Sequence, residues 1–169
     1  LKYLADRQGV VYTAVDGDQH GLLMGLVAWA RELGLEVLCG GKACDAGIHF
    51  DAQEAALRVR GRSIALDVGE LQVFSAGLGW PMPDLVAKRA GVLGGAGRIH
   101  VHDYEELVIA ANGTGLLPAT AELHHPVLRT TEIPQAFCLQ EDGGLLTGPS
   151  ILDAVIELRD PATPGLGGG

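Results

Sequence analysis

Between Val10 and Lys42 the chain reads strand, polar bend, helix, strand, and no other stretch constrains the fold as tightly. Val10 to Val15 is a β-branched, mostly apolar run of the kind that forms a buried parallel strand. Asp16-Gly17-Asp18-Gln19-His20-Gly21 is a polar bend. Leu22 to Leu33 is apolar on nearly all sides and predicts a buried helix, closed by Gly34. Leu35 to Cys39 predicts a second strand, and Gly40-Gly41-Lys42 a glycine turn after it. In such an α/β unit the bend lies at a strand's carboxyl end, where open sheets place ligands. The free N–H groups of the following helix also suit anions and polar substrates there.

The rest of the chain reads differently. Short strands are expected at Ile48–Asp51, Leu57–Val59 and Ser63–Leu66, followed by a Gly/Pro loop around Trp80. Helices are expected over Asp84–Leu93, with Asp84 as cap, and from Asp103 to Asn112-Gly113, with Glu106 as the capping-box partner of Asp103. Thr131–Phe137 reads as a short helix and Ile151–Leu158 as a strand between Pro149 and Pro161. Leu1–Gln8 reads as the last turns of a helix ended by Gly9. The expected class is α+β: the end of a Rossmann-type parallel α/β sheet over residues 1–15, then a second part over 16–169, which the family resemblance given below makes a catalytic and dimerisation domain. That second part holds a mixed or antiparallel sheet with helices on one face. An open sheet edge in such a domain needs cover, which suggests a homodimer.

Composition narrows the function. The 169 residues are 47% hydrophobic with only 5% aromatic, so Leu, Val, Ile and Ala must build the core. A net charge of −9 argues against nucleic-acid binding. The longest apolar run, Leu22 to Ala30, falls short of the roughly 18 to 20 residues that span a bilayer, and no Lys/Arg cluster marks a membrane surface. Three cysteines at uneven positions fit a reducing, cytoplasmic setting. The chain opens in helical sequence without Met and closes on a glycine tail, so it is expected to be a piece of a larger enzyme.

Lys42 after two glycines is the residue of most chemical interest. Glycines let a backbone pass close to a ligand, and an ammonium there stabilises the oxygen of a carbonyl that gains charge as hydride arrives. The histidine pairs His100/His102 and His124/His125, and the set Cys39, Cys44, His49, match no metal spacing, so no metal is expected. Neither glycine cluster is a G-x-G-x-x-G, and no G-x-S-x-G or P-loop is present, which removes hydrolase and kinase readings.

Several segments in order resemble the homoserine dehydrogenase-like oxidoreductases, a family that includes the deoxyxylulose-phosphate reductoisomerase-like enzyme of some bacteria. They are Val10-Val11-Tyr12-Thr13 with Asp16-Gly17-Asp18-Gln19, then Gly40-Gly41-Lys42, then Ala110-Ala111-Asn112-Gly113-Thr114-Gly115-Leu116. Arg129-Thr130-Thr131-Glu132-Ile133-Pro134 follows, leading to Cys138 and Glu141-Asp142-Gly143-Gly144. The resemblance implies an N-terminal Rossmann domain binding NAD or NADP, a catalytic domain such as this chain, and often a SAF-like domain. It implies Lys42, Asp16 and Asp18 as catalytic, Gln19, His20, Asn112 and Thr114 on the substrate, and Asp16, Gly17 and Gly41 beside the cofactor. His20 replaces the family's usual Pro, Gly113 its usual Ala, and the stretch after Lys42 diverges. The implied activity is hydride transfer at the carbonyl or hydroxyl of a small polar metabolite. The competing expectation is a non-catalytic module that senses a metabolite or holds an oligomer together.

Overall fold

The structure is a computed structural model that describes residues 2–10, 18–75, 79–94, 104–161 and 165. The expected strand at Val10–Val15 and the boundary at 15/16 lie almost wholly outside the described residues. So do Asp16, Gly17, His100 and His102.

The chain is α+β, built on one mixed sheet. Helix α1 (Lys2–Gln8) precedes α2 (Gln19–Glu32), followed by β1 (Cys39–Asp51), β2 (Ala56–Val59) and β3 (Arg62–Ala65). Next come α3 (Val68–Phe74), α4 (Met82–Leu93) and α5 (Tyr104–Thr114), the short strands β4 (Leu117–Pro118) and β5 (Val127–Leu128), α6 (Ile133–Ala136) and β6 (Ile151–Arg159). The sheet order is β3-β2-β1-β6-β4, with β5 also on β6. β1 pairs antiparallel with β2 and parallel with β6, and β4 and β5 run parallel to β6.

Local chemistry sets these elements. Asp51 accepts the amides of Gln53 and Glu54 at 3.1 and 3.0 Å and turns the chain from β1 into β2. Arg60 and Gly61, with φ of 49° and 79°, make the tight two-residue turn that the twist of the β2–β3 hairpin favours. Asp67 and Glu70 form a reciprocal capping box at the start of α3, a helix the sequence reading missed. α4 begins at Met82 behind Pro81; Asp84 lies in its first turn, where a carboxylate suits the helix dipole. α5 runs two residues past Asn112 and gives way at Gly115, φ 73°.

Three expectations fail. Leu35–Leu38 is not a strand, and Gly40-Gly41-Lys42 is not a turn but part of β1. A Cβ on Gly40 would lie 2.7 Å from Leu116 and 3.2 Å from Leu23, and one on Gly41 would collide with the Asp153 carbonyl oxygen on β6. The glycines are there so that α2 and β6 can come close. Nor is α2 buried on all sides: Val27 and His20 are buried, while Leu22, Leu26, Trp29 and Leu33 form an exposed apolar stripe.

β1 buries Cys44, Ala46, Ile48 and Phe50 and exposes Ala43, Asp45 and His49, so it hides one face. β6, flanked on both edges, is buried from Leu152 to Leu158. One core cluster joins Ile48, Phe50 and Leu57 to Phe74 of α3 and Leu85 of α4; another joins Cys44, Leu152 and Ala154 to Val27 of α2 and Leu107 and Ala110 of α5. The first contains two wholly buried arginines. Arg89 grips Glu132 through both terminal nitrogens, at 2.6 and 2.8 Å, and donates to the carbonyls of Val73 and Val127. Arg129 binds Glu132, Asp160 and the Phe74 carbonyl. Pairing on this scale is what allows buried guanidinium groups to persist.

Candidate functional site

Three elements bring charged groups together at one place. Asp18 caps α2, its carboxylate accepting the Gln19 amide at 2.7 Å, and His20 follows in the first turn, buried. Lys42 comes from β1, opposite Ala154 of β6 in the ladder. Glu106 comes from the first turn of α5, where the helix dipole favours an acid. The Lys42 ammonium lies 2.5 Å from Glu106 Oε2, and the two side chains are only 10% and 19% exposed. The ligand atoms of Asp18, His20 and Glu106 all lie within 4.8 Å of one another. Two carboxylates, an ammonium and an imidazole thus share a partly desolvated corner, where charge–charge and hydrogen-bond energies are far larger than in water.

Among the described residues, Asp18, His20 and Glu106 are the one group of three or more acids, histidines or cysteines close enough to share a cation, and Lys42 already supplies positive charge to Glu106. The spacing of Cys39, Cys44 and His49 along β1 sets them apart: Cys44 is buried on the helix side, whereas Cys39 and His49 occupy the opposite face.

Gln19 stands beside Asp18 and His20 in the first turn of α2. Asn112 and Thr114 do not join this corner. They sit six and eight residues beyond Glu106, about 9 to 12 Å along the helix. Asn112 is exposed. The Thr114 hydroxyl is occupied locally, donating to the Ala110 carbonyl at 2.6 Å and accepting the Leu116 amide at 3.2 Å, and its own carbonyl accepts from Arg31. Gly41 is taken up by strand packing, which accounts for its missing side chain without a cofactor. A Cβ on Gly113 would meet the flexible end of the Met24 side chain on α2.

Beside Lys42 opens a cavity of about 530 Å³, lined mainly by apolar groups including Val37, Phe137 and Val155, with Cys39 and Asp153 in its wall. Burial, reinforced by the charge of Asp153, pushes the Cys39 thiol up to about 12, so it remains protonated and is no nucleophile at neutral pH. Glu106 was visible in the sequence only as a capping partner; nothing local announces its pairing with a lysine on a distant strand.

No family model matches the sequence, and no curated protein matches it either.

Proposed function

We propose that this chain is the substrate-side catalytic domain of a cytoplasmic, homodimeric NAD(P)-dependent oxidoreductase. On this reading it follows the end of a Rossmann-type domain and acts on the carbonyl or hydroxyl of a small polar metabolite. The observation that carries the reading is the convergence of Asp18, His20 and Lys42 on Glu106. An ammonium held by a carboxylate in a partly desolvated corner is the donor that a carbonyl oxygen needs as it acquires charge. The nicotinamide, when bound, supplies or accepts the hydride at the substrate carbon. Lys42 holds the oxygen, Glu106 fixes the Lys42 ammonium in place, and Asp18 and Gln19 orient substrate hydroxyls at the mouth of α2. The described residues contain no glycine loop for a pyrophosphate, so the dinucleotide's phosphates belong to the Rossmann part.

The test is Lys42→Ala, assayed as NADH and NADPH consumption against small polar ketones and hydroxyketone phosphates. Turnover should drop about 100-fold with dinucleotide affinity unchanged; unaltered turnover would refute the reading. A second reading, an oligomerisation module, draws on the exposed stripe Leu22, Leu26, Trp29 and Leu33. It requires loss of self-association on Trp29→Ser with no nicotinamide-dependent activity in the parent protein.

A further inference from the structure

The two central strands turn different groups to the two faces of the sheet. Lys42 and its ladder partner Ala154 lie on the side of α2 and α5, where Ala154 shares a buried cluster with Val27 and Leu107. By alternation Cys39, Gly41 and Ala43, with Asp153 and Val155 beside them on β6, belong to the other side. There Val155 and Ala136 of α6 are part of the larger core cluster, whereas Gly41 and Ala43 remain exposed. The cavity of about 530 Å³ lies over this part of the sheet.

Its floor is low because Gly41 has no side chain and Ala43 only a methyl. Ile133 and Phe137 of α6 pack partly against the core, and both also line the cavity; Val37 and Leu38, just before β1, supply more of its apolar wall. Packed interiors leave few voids larger than a water molecule, so this is a space the chain itself does not fill. Clefts of about 300–1000 Å³ with mainly apolar walls are the size that takes small molecules. Phe137 contributes an aromatic ring to the wall, and rings favour ring partners, offset or edge-on.

Charge narrows the class of molecule. Two acids, Glu36 and Asp153, stand in the wall. Lys42 also borders the cavity, but its ammonium is held by Glu106 at 2.5 Å. Asp153 offers a ligand no hydrogen bond: it is 1% exposed, and its carboxylate is engaged by the amides of His124, His125 and Ala154 and by the His124 ring. An anion entering here would give up its water and face two acids. We propose that this cavity binds a small, uncharged aromatic molecule. The inference goes beyond the oxidoreductase reading, because this ligand lies on the sheet face away from the Lys42 corner.

Two fluorescent dyes with one anilinonaphthalene skeleton test this. N-phenyl-1-naphthylamine is uncharged, and 1-anilinonaphthalene-8-sulfonate adds a single negative charge. Titrated into the whole chain, the uncharged dye should brighten and saturate at one per chain, and the sulfonate should bind at least about 10-fold more weakly. No saturable binding of the uncharged dye, or equal or tighter binding of the sulfonate, overturns the proposal. Ala43→Phe, at an exposed position, should weaken the uncharged dye at least about 10-fold with the circular dichroism spectrum unchanged. Trp29→Ser, on the exposed stripe of α2, should leave dye binding as it was. If Trp29→Ser removes binding and Ala43→Phe does not, the dye sits on the stripe and the cavity assignment fails. None of these readouts involves turnover, so their failure leaves the oxidoreductase reading standing.

Discussion

Gly41→Ala is the substitution whose cost the structure defines most sharply. The added Cβ would lie 2.8 Å from the Asp153 carbonyl carbon, 3.4 Å from its amide nitrogen, and inside the radius of its carbonyl oxygen. The obstacle is backbone, not a side chain that can rotate away. β6 cannot retreat either, since β1 holds one edge and β4 and β5 the other. Forcing a methyl into such a contact costs about 1–3 kcal/mol. Prying the strands apart leaves a buried ladder group unsatisfied for about 1–3 more, giving a total of about 4 kcal/mol. For a chain of this size that corresponds to a fall in Tm of roughly 8 to 16 °C. Thermal and urea unfolding followed by circular dichroism would measure it, with Gly40→Ala as the internal comparison. A Cβ at Gly40 meets only side-chain ends, of Leu116, Leu23 and Val27, and should cost about 1 kcal/mol. Equal losses in the two variants, or a loss below about 1 kcal/mol for Gly41→Ala, would refute the claim that these glycines serve strand and helix approach.

Four further outcomes follow from the packing. Burial tends to raise the Glu132 carboxyl, but the bonds and charge of Arg89, with those of Arg129, outweigh it and hold the group below the ordinary carboxylate range. Its contribution is therefore complete above that range and is lost as pH falls below it, toward the lower pKa of the folded state, so the urea midpoint should drop on acidification below the ordinary carboxylate range, less steeply in Glu132→Gln. Removing the Glu132 charge at neutral pH should cost about 3–5 kcal/mol, because two buried guanidinium groups lose their shared partner. Gly113→Ala should cost about 1 kcal/mol by displacing the flexible end of Met24, and the cost should vanish in a Met24→Ala background, a coupling that a double-mutant cycle reads directly. Gly25→Ala, with nothing within 4 Å of the new methyl, should stabilise α2 by about 0.5–1 kcal/mol in the same unfolding assay.

Features written in local sequence were legible. The body of α5 followed from the spacing of Tyr104, Leu107, Val108 and Ala111, and β6 from an apolar run bracketed by prolines. The mixed, α+β character of the fold was readable too. Gly40 and Gly41 misled because a glycine pair looks alike whether it turns a chain or admits a neighbour, and the neighbours here, Leu116 and Asp153, are remote in sequence. The apolar stripe of α2 suggested burial because periodicity records which residues are greasy and not which are covered. The charged corner was half visible: the position of Asp18 at a helix mouth and of Lys42 after glycines drew attention to both. Glu106 and Asp153 were not, since one also serves as a helix-start acid and the other sits within an otherwise apolar strand. Their partners lie 64 and 29 residues away.

The ladder between β1 and β6 joins a strand that ends at Asp51 to one that begins at Ile151. A ribosome making this chain must therefore release everything through β6 before the middle of the sheet can close. Until then the hairpin of β1 and β2 offers neighbouring nascent chains the row of bare amides that β6 will later occupy. Pairing between strands so distant in sequence slows folding relative to a helical chain of the same length.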